Sequence, residues 1–142
     1  MAKSDAMHLV YWSLIFRVGN RDKAMKELRR AESLLGQSLQ VASFEPYWKT
    51  EGQWRCEATA QIQAASVAEL VTNALLLADR LAGWWHVRGP SLDEAGKLRS
   101  FHGAFQDNEG KDARLSSLVW AHFEVGDEPR EPSGRESQPG QA

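Results

Sequence analysis

Trp54-Arg-Cys-Glu-Ala-Thr-Ala-Gln-Ile-Gln-Ala64 runs through Ala65 into Ser66-Val-Ala-Glu-Leu-Val-Thr-Asn-Ala-Leu-Leu-Leu-Ala-Asp-Arg-Leu81. The first half has a period of two: Trp54, Cys56, Ala58, Ala60, Ile62 and Ala64 alternate with Arg55, Glu57, Thr59, Gln61 and Gln63. That pattern predicts an antiparallel strand with one dry and one wet face. At Ser66 the period lengthens. Ser66 and Glu69 have the spacing of a capping box, and Val67, Leu70, Val71, Ala74, Leu75, Ala78 and Leu81 follow at helical intervals. A helix is therefore expected from Ser66, ended by Gly83 in a left-handed cap. Leu75 falls in its buried stripe, so Leu75→Ala is expected to cost about 2–5 kcal/mol.

Working outward, His8 to Val18 is rich in aromatic and β-branched residues and reads as a strand with two largely apolar faces, as near the middle of a sheet. The row Val10, Trp12, Leu14, Phe16, Val18 is assigned to the core, and Leu9, Tyr11, Ser13, Ile15, Arg17 to the opposite face. Asn20 is placed to cap a helix, with Asp22 in its first turn and Ala24, Met25, Leu28, Ala31 and Leu35 as its buried stripe. Gly36 ends it. Lys23, Lys26, Arg29 and Arg30 are interspersed with Glu27 and Glu32, the pattern of a solvated helix face. Residues 39–49 form a second strand, in which Pro46 implies an edge position or a bulge. Thr50-Glu-Gly-Gln53 turns it into the strand at Trp54, and Tyr47, Trp48 and Trp54 flank this hairpin closely enough to cluster.

Beyond the central helix, Gly83-Trp-Trp-His-Val-Arg-Gly-Pro90 reads as a short extended segment. Ser91-Leu-Asp-Glu94 repeats the capping-box spacing and predicts a short helix to about Phe105, weakened by Gly96 and Gly103. A polar loop over 106–112 leads to a last strand over 115–125, with Val119, Ala121, Phe123 and Val125 on one face and Leu118, Trp120, His122 and Glu124 on the other. From Gly126 the chain holds Pro129, Pro132 and Pro139 with several charges and no apolar anchor, so residues 127–142 are expected to be a disordered tail behind a single α+β domain over 1–126. The order strand, helix, strand, strand, helix, strand predicts a ferredoxin-like βαββαβ layer with an added short helix and a C-terminal strand.

Composition bounds the partners. A chain of 142 residues with 42% hydrophobic and 25% charged residues suits one soluble globular domain. Its net charge of −2 shows no basic excess, so neither nucleic acid nor a membrane is an expected partner. No long apolar stretch of a signal peptide or membrane span is present, and Cys56 is the single cysteine, which together fit a reducing cytoplasm. On its small apolar row Cys56 reads as a buried thiol rather than a nucleophile.

No phosphate loop, dinucleotide fingerprint, nucleophile elbow or zinc spacing occurs, and His8, His86, His102 and His122 lack metal-ligand spacing, so no cofactor or metal is expected. His122 and Glu124 share a strand face, where they would meet a common ligand or simply form a surface pair. An open face carrying Arg55, Glu57, Trp120 and His122, with Trp48 and Trp54 on the hairpin, points to a protein-binding module and away from an enzyme; six tryptophans agree with that. In size and in lacking a catalytic motif, with the aromatic and charged hairpin Phe44-Glu-Pro-Tyr-Trp-Lys-Thr-Glu-Gly-Gln-Trp54, the chain resembles small bacterial immunity proteins. That resemblance implies a protein that neutralises a toxin domain by binding it. The alternative is a small-molecule-binding or enzymatic ferredoxin-like dimer, with Trp120, Tyr11 and His122 lining a pocket; sequence leaves monomer and homodimer open.

Overall fold

In the computed structural model, which describes residues 6–107 and 113–125, the strand at Ala6–Arg17 (β1) is paired on both sides, along its whole length on one and over Val10–Phe16 on the other. It pairs antiparallel with Gln53–Ala64 (β3) on one side and with Leu118–Val125 (β6) on the other. Beyond β3 lies the edge strand Gln40–Pro46 (β2), and beyond β6 lie Leu98–Gln106 (β5) and the far edge His86–Leu92 (β4). The six-stranded sheet therefore runs β2-β3-β1-β6-β5-β4, with every described pairing antiparallel. Pro46 ends an edge strand whose register slips between Val41 and Ser43, the place where a residue without an amide donor does least harm.

The helices Arg21–Leu35 (α1) and Val67–Leu81 (α2) begin where their caps dictate. Asn20 Oδ1 accepts from the Lys23 amide at 2.9 Å, and Ser66 Oγ accepts from the Glu69 amide at 3.1 Å. Glu69 reaches back one residue further than a capping box requires, to the amide of Ala65. Gly36 closes α1 in the left-handed conformation, with φ 78°. Gly83 does not do the same for α2: its cap is Ala82, in extended backbone, and the Arg114 guanidinium lies against Gly83. Both helices bury their stripes on the row Val10, Trp12, Leu14 and Phe16, each at most 1% exposed. In α2 the buried residues are Leu70, Ala74, Ala78 and Leu81, whereas Leu75 is 38% exposed and so lies at the margin of the stripe. In α1, Glu27 is buried beside the stripe, accepting from Ser117 Oγ at 2.6 Å and paired with Arg30.

The ferredoxin-like expectation fails after α2. The segment assigned to a short helix belongs to the β4–β5 hairpin, so α2 leads to the far edge of the sheet at β4, and β5 stands between that edge and β6. The described residues form a sheet-rich α+β fold of six strands and two helices, not a βαββαβ layer. Two local facts explain the misreading. Asp93 at the hairpin turn accepts from the amides of Ala95 and Lys97 at 2.8 and 2.9 Å, so its carboxylate organises a turn ending at Gly96 (φ 87°), and the Lys97 bond leads the causes that hold its pKa below the ordinary value. Leu98, Phe101 and Phe105 are spaced like a helix stripe, but the true inward alternation is Phe101, Gly103, Phe105, with a glycine as the middle core position. A Cβ at Gly103 would lie 2.6 Å from Phe123 Cε2, so the Phe123 ring occupies the space a side chain there would need.

The outer edge of β3 is longer than β2. Where β2 is absent, the Gln37 side chain takes its place, donating from Nε2 to the Gln61 carbonyl and accepting the Gln61 amide, both at 3.1 Å. Asn73 Nδ2 donates to the Gln63 carbonyl at 3.1 Å. Two side-chain amides thus finish the ladder. The tail over 127–142 and most of the polar loop lie outside the described residues. Among the described residues, no helix is long and apolar enough to cross a membrane.

Candidate functional site

The face of the sheet opposite the helices is built from the odd-numbered residues of β1 and their register partners. One row reads Glu57, Ser13, His122, Ala104, His86; a second reads Thr59, Tyr11, Glu124, His102, Arg88; a third reads Arg55, Ile15, Trp120, Gln106. Strand alternation alone brings these side chains together. Of the residues singled out from sequence, Arg55, Glu57, Trp120 and His122 share this face. Trp54 lies on the helix side, opposite Phe16, its ring packed edge-on against Phe44 at 5.5 Å. Trp48 is at the hairpin turn, 76% exposed, beside Tyr47 and under the Lys49 ammonium at 5.1 Å. The expected hairpin cluster is therefore split between the two faces of the sheet.

Geometry on the open face is well determined by local bonds. Ser13 Oγ donates to Glu57 Oε1 at 2.9 Å, and Arg55 Nε donates to Glu57 Oε2 at 2.6 Å. Glu57 thus fixes the Arg55 guanidinium, whose Cζ stands 5.9 Å from the centre of the Tyr47 ring. Trp120 and His122 stack with planes 9° apart and centroids at 6.1 Å, and His102 lies 5.6 Å from His122. Two histidines and a neighbouring carboxylate suggest a metal, but no group of three or more His, Cys, Asp or Glu among the described residues is arranged to hold one.

At one end of this face is a cleft of about 570 Å³, lined by Ile15, Arg17, Tyr47, Gln53, Arg55, Gln106, Asp107, Val119 and Trp120. Sequence reasoning missed most of it. Ile15 and Arg17 were legible on the outward row of β1, but Val119 was assigned to the core row with Ala121. A register shift against Ile15 and Phe16 reverses the start of β6, burying Leu118 opposite Phe16 and turning Val119 to the cleft. No residue type announces such a shift. Tyr11 and His122, expected to line a pocket with Trp120, lie in the neighbouring rows and do not line this cleft. A second hollow of about 480 Å³ at the β2–β3 edge is lined by Gln37, Gln40 and Gln61 with no titratable group.

Cys56 is on the other face, fully buried under the helices. Burial first, and the charges of Glu57 and Glu32 second, push its thiol up to about 12. Because the unfolded thiol ionises near pH 9 and the folded one does not, the unfolded state binds fewer protons above that pH. Stability should therefore fall by about 1.4 kcal/mol per pH unit on raising pH from 9 towards 12, and Cys56→Ala should flatten that slope in urea titrations. Comparison of the chain with family models, with curated proteins and with solved structures found no match.

Proposed function

We propose that this protein is a protein-binding module whose helix-free sheet face docks a partner, and that it serves as an immunity protein, covering a toxin domain in the reducing cytoplasm. The observation that carries the reading is the Trp120–His122 stack on β6, a middle strand of an open face, beside the Arg55–Glu57–Ser13 chain. Tryptophan and arginine held in place before binding are the side chains that dominate protein interfaces, because little conformational entropy is lost when they are covered. Charge balance supports a protein over a nucleic acid: Arg17, Arg55 and Arg88 on the open face are offset by Glu45, Glu57, Glu124 and Asp107. The exposed Trp48 and Lys49 at the hairpin tip extend the same surface.

The test is capture of partners by the tagged protein from its own cells, followed by direct titration of the captured domain. Trp120→Ala is expected to weaken that binding by at least about 100-fold, as for an interface hot spot, with an unchanged unfolding midpoint. Equal affinity after Trp120→Ala and Arg55→Ala would remove this surface from the proposal. Co-expression rescuing cells from the captured domain supports the immunity role; a harmless partner leaves a binding module of another kind.

A further inference from the structure

The cleft at the end of the open face has features that docking of a flat protein surface does not require. Its floor is Ile15, only 6% exposed, and its walls include the rings of Tyr47 and Trp120. Arg17 and Arg55 both line it. Arg55 opposes Ile15 across the β1–β3 ladder and Arg17 is two residues further along β1, so the two cations are diagonal neighbours on one face, about 7–8 Å apart at Cα. Arg55 is held through Nε by Glu57, which fixes the plane of the guanidinium. The Arg17 side chain makes no ion pair or hydrogen bond among the described residues. Asp107 lies on the opposite margin, where its amide bonds to the Val119 carbonyl, two strands away from Arg55's neighbour Ile15.

The geometry points to a binding site for a small planar aromatic carboxylate, with its anionic group at Arg17 and Arg55 and its ring lying over Ile15 and Val119 between Tyr47 and Trp120. A volume of about 570 Å³ is in the range of small-ligand sites and suits a two- or three-ring acid. Two guanidinium groups at one end set the direction of the ligand, since the acid group is attracted to them. Apolar floor and aromatic walls supply contact area without demanding further hydrogen bonds. This site goes beyond the docking reading and does not depend on it.

The test uses the purified full chain and two matched pairs of probes, indole-3-acetate with indole-3-acetamide and 2-naphthoate with 2-naphthamide, titrated calorimetrically at low salt. Saturable binding of each acid is expected, at least about tenfold tighter than its neutral amide. Arg17→Gln should abolish that preference while leaving amide binding unchanged, and Trp120→Ala should weaken acid and amide together, with melting curves confirming that both variants fold. Acid and amide bound equally by the wild-type chain, or no saturation by either acid at about 10 mM, would overturn the assignment. Because no protein partner is present, failure here leaves the docking reading intact. A Ser13→Ala or Trp48→Ala chain that keeps acid binding and loses the partner separates the two in the other direction.

Discussion

Phe123→Ala is expected to destabilise the protein by about 3–5 kcal/mol, a large part of the total stability of a domain of this size. The ring is fully buried and meets three others, Trp12 at 5.8 Å, Trp85 at 5.4 Å and Phe101 at 5.5 Å, while its edge covers Gly103 on the next strand. Removing it opens a cavity in the middle of the sheet and leaves Trp12, itself 1% exposed, without one of its packing partners. Urea unfolding followed by tryptophan fluorescence measures the loss. The same geometry makes Gly103 dependent on Phe123. Gly103→Ala should cost about 1–3 kcal/mol in the wild-type chain, where the new Cβ meets the ring, and clearly less in the Phe123→Ala background, where the His86 carbonyl at 3.3 Å is the close neighbour that stays. An equal cost of Gly103→Ala in both backgrounds would show that the ring is not what holds that position to glycine.

Leu70→Ala is expected to cost about 2–5 kcal/mol, and Leu75→Ala well under half of that in the same assay. Both leucines fall on the apolar stripe of α2 in the sequence, but Leu70 is 1% exposed and Leu75 is 38% exposed. The transfer term scales with area removed from water, and a side chain already partly wet leaves no closed cavity when shortened. Similar losses for the two variants would mean that the margin of the stripe at Leu75 is covered in solution.

These contrasts locate what the sequence could and could not convey. Alternation in β1 and β3 was legible because every inward position there carries an apolar side chain, from Val10 to Phe16 and from Cys56 to Ala64. The caps at Asn20 and Ser66 were legible because a polar side chain at a helix start has one local role. Beyond α2 the code is shared between strands. Gly103 counts as a core residue only because Phe123 fills its place, and a pattern read along one strand cannot see a ring supplied by its neighbour. The register shift in β6 is equally non-local, and with it the identity of Val119 as a cleft residue. Four of the six residues proposed for binding could be placed on one face because they depend only on alternation, and the same alternation puts Trp54 on the opposite, inward row; Trp48 lies in the turn, which alternation does not specify.

The two amides that complete the outer edge of β3 also limit how the molecule can associate. Gln37 and Asn73 occupy backbone groups at Gln61 and Gln63 that would otherwise template another chain, and an amide side chain, unlike a strand, presents no further row of donors and acceptors beyond itself. At the other end of the sheet, β4 carries Pro90 and its pairing slips twice, between Arg88 and Ser91 and between Ser91 and Leu92. Growth of the sheet from molecule to molecule is thus hindered at β4 and along the uncovered end of β3, and β2 itself is short, slips in register between Val41 and Ser43 and ends at Pro46. These edge features favour recognition through side chains on a face over extension of the backbone ladder, without needing a strongly charged surface.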